Sequence, residues 1–260
     1  MYKSFFIALL LLINPLSTFA LTPEDQGLAI VTKADSLDKG WVDQSVFMRM
    51  VLRNKHGQEI EKTTHVINLE IEGDGDKSLS VFQSPPDVKG TSFLSYSHAI
   101  GADEQWLYLP ALKRVKRISS ENKSGPFLGS EFAYEDITSY EVKKYSYKYI
   151  KDEAIQGLNA FVIEYYSEYK DSGYARQVVW IDQSMYQPLK IDFYDRKNTL
   201  LKTLSSYEYK QYLGQYWRPS RMEMVNHQTG KSTMLYWTEY AFRNGLTSRD
   251  FDNNSLKRAR

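Results

Sequence analysis

The chain has 260 residues, no cysteine, and 33 lysines and arginines against 32 aspartates and glutamates. The lack of cysteine excludes a disulfide framework and a thiol nucleophile. The formal net charge of +1 argues against whole-molecule attraction to nucleic acid or to anionic lipid. The length suits a single β-rich domain, and no stretch after residue 20 is apolar for long enough to insert stably in a bilayer.

The first 20 residues have the layout of a secretory signal peptide. Lys3 is an early cation, an apolar run follows, and Thr18 and Ala20 supply the small residues of a cleavage site after Ala20. The apolar run is short for a membrane span, so an uncleaved anchor is the less favoured alternative. Exported proteins without cysteine are typical of the bacterial periplasm. The sequence therefore predicts a periplasmic protein that starts at Leu21, with residues 21–260 as one domain.

One amphipathic helix is predicted to open the mature chain. Thr22 is a candidate N-cap, Pro23 suits the first helical position, and Asp25 can complete a capping box. Apolar residues then recur at near-helical spacing at Leu28, Val31, Ala34 and Leu37. The apolar stripe is modest, so this helix is expected to cover part of a larger structure.

From residue 41 onward, the apolar residues recur with a period of two, which predicts strands. Short turns between these strands indicate an antiparallel meander. Only residues 127–137 interrupt the pattern with a candidate helical turn. Several strands carry large apolar groups on both faces, as in WLYL at 106–109 and MLYW at 234–237. Such a sheet needs cover on both sides, so it either curls on itself or leaves apolar surface for a ligand.

Residues 103–118, DEQWLYLPALKRVKRI, are predicted to form a hairpin. Trp106 and Tyr108 point to one face, the alternate leucines point to the other, and Pro110 sets the turn. The returning strand carries a basic rim that consists of Lys113, Arg114, Lys116 and Arg117. This rim suits phosphate head groups or an acidic partner, and the alternative is a strand edge kept soluble by its charges.

No motif in the chain specifies a reaction. The Gly-Lys-Ser at 230–232 lacks the earlier glycine of a phosphate-binding loop, because residue 225 is valine. There is no G-x-S-x-G sequence, and the four histidines lie in different segments without metal-ligand spacing. Glu131, Glu135 and Asp136 form the best carboxylate cluster for chemistry, but the pattern is more typical of a solvated loop face or a helix start. The sequence therefore predicts a non-catalytic protein without a cofactor, a metal or a nucleic-acid partner.

Several segments together resemble the bacterial outer-membrane lipoprotein-sorting proteins, the LolA/LolB-like family, in the branch related to a treponemal lipoprotein domain. These segments are WVDQSVFMRMVLRN, QWLYLPALKRVKRI, KSGPFLGSEFAYEDI, YDRKNTLLKTL and YWRPSRMEMVNHQTGKST. The resemblance covers essentially all of the mature chain. It implies a mainly β fold, in which a curved antiparallel sheet forms an unclosed half-barrel around one N-terminal helix and a short helical or loop lid.

The same resemblance implies carriage of an acylated lipoprotein or a lipid in an apolar cavity, for some members beside an inner-membrane RND-type exporter. The residues expected to line the cavity are Met48, Met50, Trp106, Tyr108, Phe127, Leu128 and Phe132. Methionine repacks around different ligands and suits such a wall. Leu107 and Leu109, on the other face of the same predicted strand, are the alternative to Trp106 and Tyr108, and ordinary core packing is the alternative for each residue. The candidates to fill the empty cavity are the Leu28, Val31 and Leu37 face of the helix and residues 127–137. Two other functions remain open: an exporter accessory subunit that binds no cargo and, last, an enzyme that acts on lipids.

Overall fold

The computed structural model describes residues 21–258, so the predicted signal peptide lies outside the described residues. It contains two α-helices, α1 (Pro23–Leu37) and α2 (Asn253–Arg258), and one antiparallel sheet of 13 strands. The strands are β1 (Asp43–Arg53), β2 (Glu59–Leu69), β3 (Lys77–Ser84), β4 (Ser92–Tyr96), β5 (Glu104–Leu109), β6 (Arg114–Ile118), β7 (Tyr145–Ile155), β8 (Leu158–Ser167), β9 (Tyr174–Asp182), β10 (Pro188–Asp195), β11 (Leu200–Tyr212), β12 (Tyr216–Asn226) and β13 (Ser232–Phe242). None of the helices within residues 21–258 has the length and apolar character that a membrane crossing requires.

The strand order shows that the sheet is open, with one free edge on each side. β1 and β13 pair at its centre, β2 to β6 follow outward from β1, and β12 to β7 follow outward from β13. Each half is an antiparallel meander, as the short turns predicted. The described sheet ends at β6 on one side and at β7 on the other, and these two strands do not pair. The predicted unclosed half-barrel is confirmed.

Residues 119–144 connect the two edges of the sheet and cross its concave side; we call this segment the plug. It contains four short 3-10 turns, two of which fall within the predicted helical interruption at 127–137. Phe127 and Phe132 of the plug belong to the same buried cluster as Met48 and Met50 of β1, which we call the inner cluster. The plug therefore supplies part of the core inside the half-barrel and corresponds to the predicted lid.

Helix α1 lies on the concave side of the sheet, against the edge strand β7. Its N-terminus is capped as predicted, because Thr22 Oγ1 accepts a hydrogen bond from the amide of Asp25 at 3.1 Å. Gly27 approaches β7 so closely that a Cβ there would lie 2.9 Å from the amide nitrogen of Tyr149. Only a residue without a side chain permits this contact. The helix therefore packs directly on the β7 edge.

A separate buried cluster, which we call the outer cluster, covers part of the convex side. The C-terminal segment packs Phe251 and Leu256 against outward-facing residues of β3, β4 and β5. Trp106 and Tyr108, expected to line the cavity, lie in this outer cluster instead. The physical reason is the alternation of side chains along β5, since Leu107 points into the inner cluster.

Candidate functional site

A large cavity lies between the sheet, the plug and α1. Its volume is about 1460 Å³, whereas pockets for small molecules usually enclose roughly 300–1,000 Å³. Apolar side chains from the central strands and the plug form one wall: Val46, Met48, Met50, Val66, Phe93, Phe127, Phe132 and Leu235. The size and the apolar wall together suit a long hydrophobic ligand.

The structure separates the residues predicted to line this cavity into two groups. The residues at the cavity wall are Met48, Met50, Phe127 and Phe132. Leu128 packs against the same inner cluster but is not a lining residue, and its carbonyl accepts a hydrogen bond from Lys62 Nζ at 2.7 Å. Trp106 and Tyr108 lie on the convex face, as described above.

Sequence reasoning predicted part of the remaining lining, the Leu28 and Val31 face of α1, and missed the contributions of strands β9, β12 and β13. Helix α1 contributes Leu28 and Val31, and strand β9 contributes Val179 and Ile181. Strands β12 and β13 add Met222, Trp237 and Tyr240, which pack against the inner cluster beside Met48 and Leu235. The alternating runs in these strands carried a signal for burial. They could not show which side of each strand faces inward, because both sides carry large apolar groups.

The basic rim lies away from the cavity, on edge strand β6 and the turn before it. Lys113, Arg114, Lys116 and Arg117 are all exposed. None of them is a cavity-lining residue. The hairpin that places them there has the predicted strands, joined by a 3-10 turn at Pro110–Leu112.

Carboxylates gather at one end of the cavity, which we call the acidic end. The acidic lining residues there are Asp35, Asp38, Glu70, Glu72, Asp74, Asp76 and Glu141. Arg218 Nη1 lies 2.6 Å from Asp38 Oδ1 and ties the end of α1 to β12. The carboxylate of Glu70 accepts hydrogen bonds from the amides of Gly40 and Val42 at 2.7 and 2.8 Å. Some of these acids thus hold the chain that enters β1. Among the described residues, the seven acids outnumber the three basic lining residues Lys39, Lys143 and Arg218.

Two carboxyl groups at the acidic end have strongly perturbed acidity. Burial raises the pKa of Glu141 to about 7, and the neighbouring carboxylate of Asp76 adds to the effect. Burial also raises the pKa of Asp76 to about 6. Both groups therefore hold a proton more tightly in the folded chain than in the unfolded chain. Their ionisation opposes folding, so stability is highest below the unfolded pKa and falls as pH rises through the folded pKa.

We expect Glu141→Gln to raise the stability of the protein at about pH 8 and to leave it nearly unchanged near the unfolded pKa of 4.5. The amide removes a charge that the folded chain solvates poorly, and the gain is about 1–2 kcal/mol after allowance for solvent screening. Thermal melts across this pH range measure the effect. Glu72→Gln removes an exposed charge from the same end and serves as the control. Equal shifts in the two variants would contradict the assignment to Glu141.

Buried polar contacts hold the plug against the sheet. Lys202 Nζ of β11 lies 2.6 Å from Asp136 Oδ2, and the side chains are only 4% and 5% exposed. The hydroxyl of Tyr174 donates to Asp136 Oδ1 at 2.7 Å. Glu135 accepts a hydrogen bond from the amide of Gly173 at 2.8 Å.

These contacts correct the interpretation of the plug carboxylates as a solvated loop face, whereas the alternative of a helix start agrees with the 3-10 turn Tyr134–Ile137, whose first turn contains Glu135 and Asp136. Glu131 is also engaged, because its Oε2 accepts a hydrogen bond from Asn226 Nδ2 at 2.7 Å. Each of Glu131, Glu135 and Asp136 thus bonds to a strand of the β9–β13 half or to the turn that precedes it. The cluster fastens the plug to the sheet.

The chain resembles proteins of known structure along most of its length. A family model described as an uncharacterised protein matches residues 74–258. An outer membrane lipoprotein-sorting protein domain from Vibrio parahaemolyticus is 54% identical, with 90% of this chain and 100% of that chain covered and a TM-score of 0.89. A DUF1329 family protein from Desulfovibrio piger is 27% identical, with 91% and 100% covered and a TM-score of 0.86.

A third structure supports the fold. A LolA superfamily protein from Nitrosomonas europaea is 21% identical, with 91% of this chain and 100% of that chain covered and a TM-score of 0.71. A comparison with curated proteins gave no match. The family model spans more than half of the chain, and the Vibrio domain shares more than half of its aligned residues. The chain therefore belongs to the family of the outer membrane lipoprotein-sorting protein domain from Vibrio parahaemolyticus, and its fold is LolA-like.

Proposed function

We propose that this protein is a periplasmic carrier that binds the acyl chains of a lipoprotein or a lipid in its apolar cavity. The observation that carries the proposal is the cavity of about 1460 Å³ inside an open half-barrel, with a wall of methionine, phenylalanine and aliphatic side chains. Such a wall binds by burial of apolar surface and is tolerant of ligand shape. The lipoprotein-sorting description of the Vibrio relative agrees with this role.

The energetics favour carriage over permanent storage. Burial of a chain of about 14 carbons offers on the order of 10 kcal/mol, at roughly 0.8 kcal/mol per CH₂ before ordering costs. Cargo held at that strength would leave too slowly for transfer. Phe127 and Phe132 of the plug occupy part of the interior, so cargo has to displace them or pack around them. This competition lowers the net affinity to a range in which cargo is handed on.

The location and partners belong to the same proposal. Export through the predicted signal peptide places the mature chain, starting at Leu21, in the periplasm. Mass spectrometry of the periplasmic protein is expected to find Leu21 as its first residue, and an intact Met1 on a membrane-bound product would contradict this. A carrier there receives or delivers cargo beside a membrane protein, and we propose an inner-membrane RND-type exporter as that partner. The protein acts without chemistry on its cargo.

The test is solvent extraction of the protein purified from the periplasm, followed by lipid mass spectrometry. We expect acyl chains in stoichiometric amounts. Met48→Gln places an amide at the cavity wall and is expected to reduce the bound lipid several-fold, because an unpaired buried amide is costly. Trp106→Gln makes a comparable change on the convex face and is the control. A wild-type protein free of lipid would instead favour an exporter accessory subunit that binds no cargo.

A further inference from the structure

The two edges of the open sheet differ in how they are covered. At β7, helix α1 packs onto the strand, with Gly27 against the backbone amides of Lys148 and Tyr149. At β6, only β5 pairs with the strand among the described elements. The β6 edge is therefore open to a partner, whereas the concave face of β7 is covered by α1.

The uncovered edge carries a concentrated positive charge. All four residues of the basic rim are exposed. Arg117 Nη2 lies 2.9 Å from Glu104 Oε1 and is thus neutralised. Within residues 21–258, no ion pair neutralises Lys113, Arg114 or Lys116. Three uncompensated cations therefore lie within four consecutive residues of a chain whose formal net charge is only +1.

The directions of these side chains follow from the packing of their neighbours. Ile118 belongs to the inner cluster and Val115 to the outer cluster. Because side chains alternate along a strand, Arg114 and Lys116 point to the concave side. They stand at the border of the gap that separates β6 from β7. Charges that point inward on an edge strand also hinder addition of another strand, which weighs against an extended peptide as the partner.

The turn that leads into β6 adds an exposed apolar group to this charge. Leu112 is 62% exposed and immediately precedes Lys113, whose positive φ of 48° turns the chain into the strand. A cationic patch with a protruding leucine matches a membrane surface, where head groups are anionic and acyl chains lie just beneath them. The acidic end of the cavity lies at the opposite end of these strands. Its carboxylates on the β2–β3 turn lie near the start of β5 and the end of β6, whereas Leu112 and Lys113 lead into the start of β6.

From this charge complementarity we propose that the basic rim, with Leu112, docks the protein on an anionic bilayer surface. The local charge, rather than the net charge of the molecule, drives the contact. The acidic end is repelled by the same surface, so the protein meets the membrane in one orientation. This docking surface goes beyond cargo binding and operates whether or not the cavity is filled.

The experiment is flotation of the full mature protein with vesicles made of equal parts phosphatidylglycerol and phosphatidylcholine, at low salt. Each lysine or arginine near an anionic surface is worth a factor of roughly five in partition. The variant K113Q/R114Q/K116Q is therefore expected to bind about a hundredfold more weakly than the wild type. Binding of the wild type is expected to fade as salt rises past roughly 0.1 M, where the screening length is about 10 Å.

The variant K33Q/K148Q/K210Q is the matched control, since it removes the same charge from exposed positions elsewhere. It is expected to retain wild-type binding within about threefold, which is smaller than the roughly fivefold effect of a single cation on partition. Equal loss in both variants would assign the attraction to net charge and overturn the docking surface. Wild-type binding that is absent, or equal on pure phosphatidylcholine vesicles, would overturn it as well and leave the rim as a soluble strand edge or a site for an acidic protein. Binding of a fluorescent fatty acid by the rim variant, measured in parallel, separates this result from the cargo proposal.

Discussion

Replacement of Phe132 by alanine is expected to destabilise the empty protein by about 3–5 kcal/mol and to tighten its binding of a long-chain fluorescent fatty acid. Phe132 is 3% exposed, packs in the inner cluster, and also lines the cavity. Its ring therefore stabilises the empty state and competes with cargo for the same space. Removal of the ring leaves a void that cargo can fill, so stability and affinity change in opposite directions.

A buried phenylalanine on the other side of the sheet separates this effect from general loosening. Phe251→Ala removes the same group from the outer cluster, where the side chain is 0% exposed. We expect a similar loss of stability with unchanged affinity. Denaturant titrations and fatty-acid titrations of both variants make the comparison. If Phe132→Ala loses stability without a gain in affinity, the plug is ordinary core and does not compete with cargo.

The antiparallel order of the strands was predictable because its signals are local. Alternating apolar residues and short turns predict an antiparallel meander, and Thr22 with Asp25 predicts the start of α1. The lid was also detectable, since residues 127–137 break the period of two. The resemblance to lipoprotein-sorting proteins then supplied the curvature, which no local pattern determines.

The inner face of the sheet was harder to predict than the sheet itself. The sequence of β5 left two possibilities, Trp106 with Tyr108 or Leu107 with Leu109, and the aromatic pair was the one expected at the cavity. The cover on the convex side comes from Phe251 and Leu256, more than 140 residues later in the chain. A second buried cluster of this kind makes both faces apolar and removes the asymmetry that assigns a face.

The anchors of the plug were not predictable for a related reason. Lys202 and Asp136 are 66 residues apart in sequence and meet only because β11 curves under the plug. Read along the chain, Glu131, Glu135 and Asp136 have the composition of a solvated turn. Only the folded arrangement shows that each carboxylate bonds to the wall of the half-barrel.

These anchors lead to a second large expected effect. Asp136→Asn is expected to cost about 3–5 kcal/mol of stability, because it leaves the ammonium group of Lys202 buried without a counter-charge. The asparagine keeps the shape of the side chain, so the loss does not report a cavity. It reports the missing charge together with one lost acceptor, because both carboxylate oxygens of Asp136 accept hydrogen bonds and the amide NH₂ cannot. The plug should also loosen, and trypsin should then cleave more readily at Lys123 or Lys144, which are buried or nearly buried in the intact fold.

The double variant Asp136→Leu with Lys202→Met tests the cause. Replacement of a buried ion pair by apolar groups of similar volume is often close to neutral, so most of the lost stability should return. Glu59→Gln is the control, since it breaks the exposed pair with Arg53 and should cost less than about 1 kcal/mol. Lys202→Met alone completes the set. Denaturant unfolding of the wild type and of these four variants measures the free energies of unfolding to be compared. A loss in Asp136→Asn no larger than in Glu59→Gln would show that the plug is held by its phenylalanines alone, and cargo would then have only apolar contacts to displace.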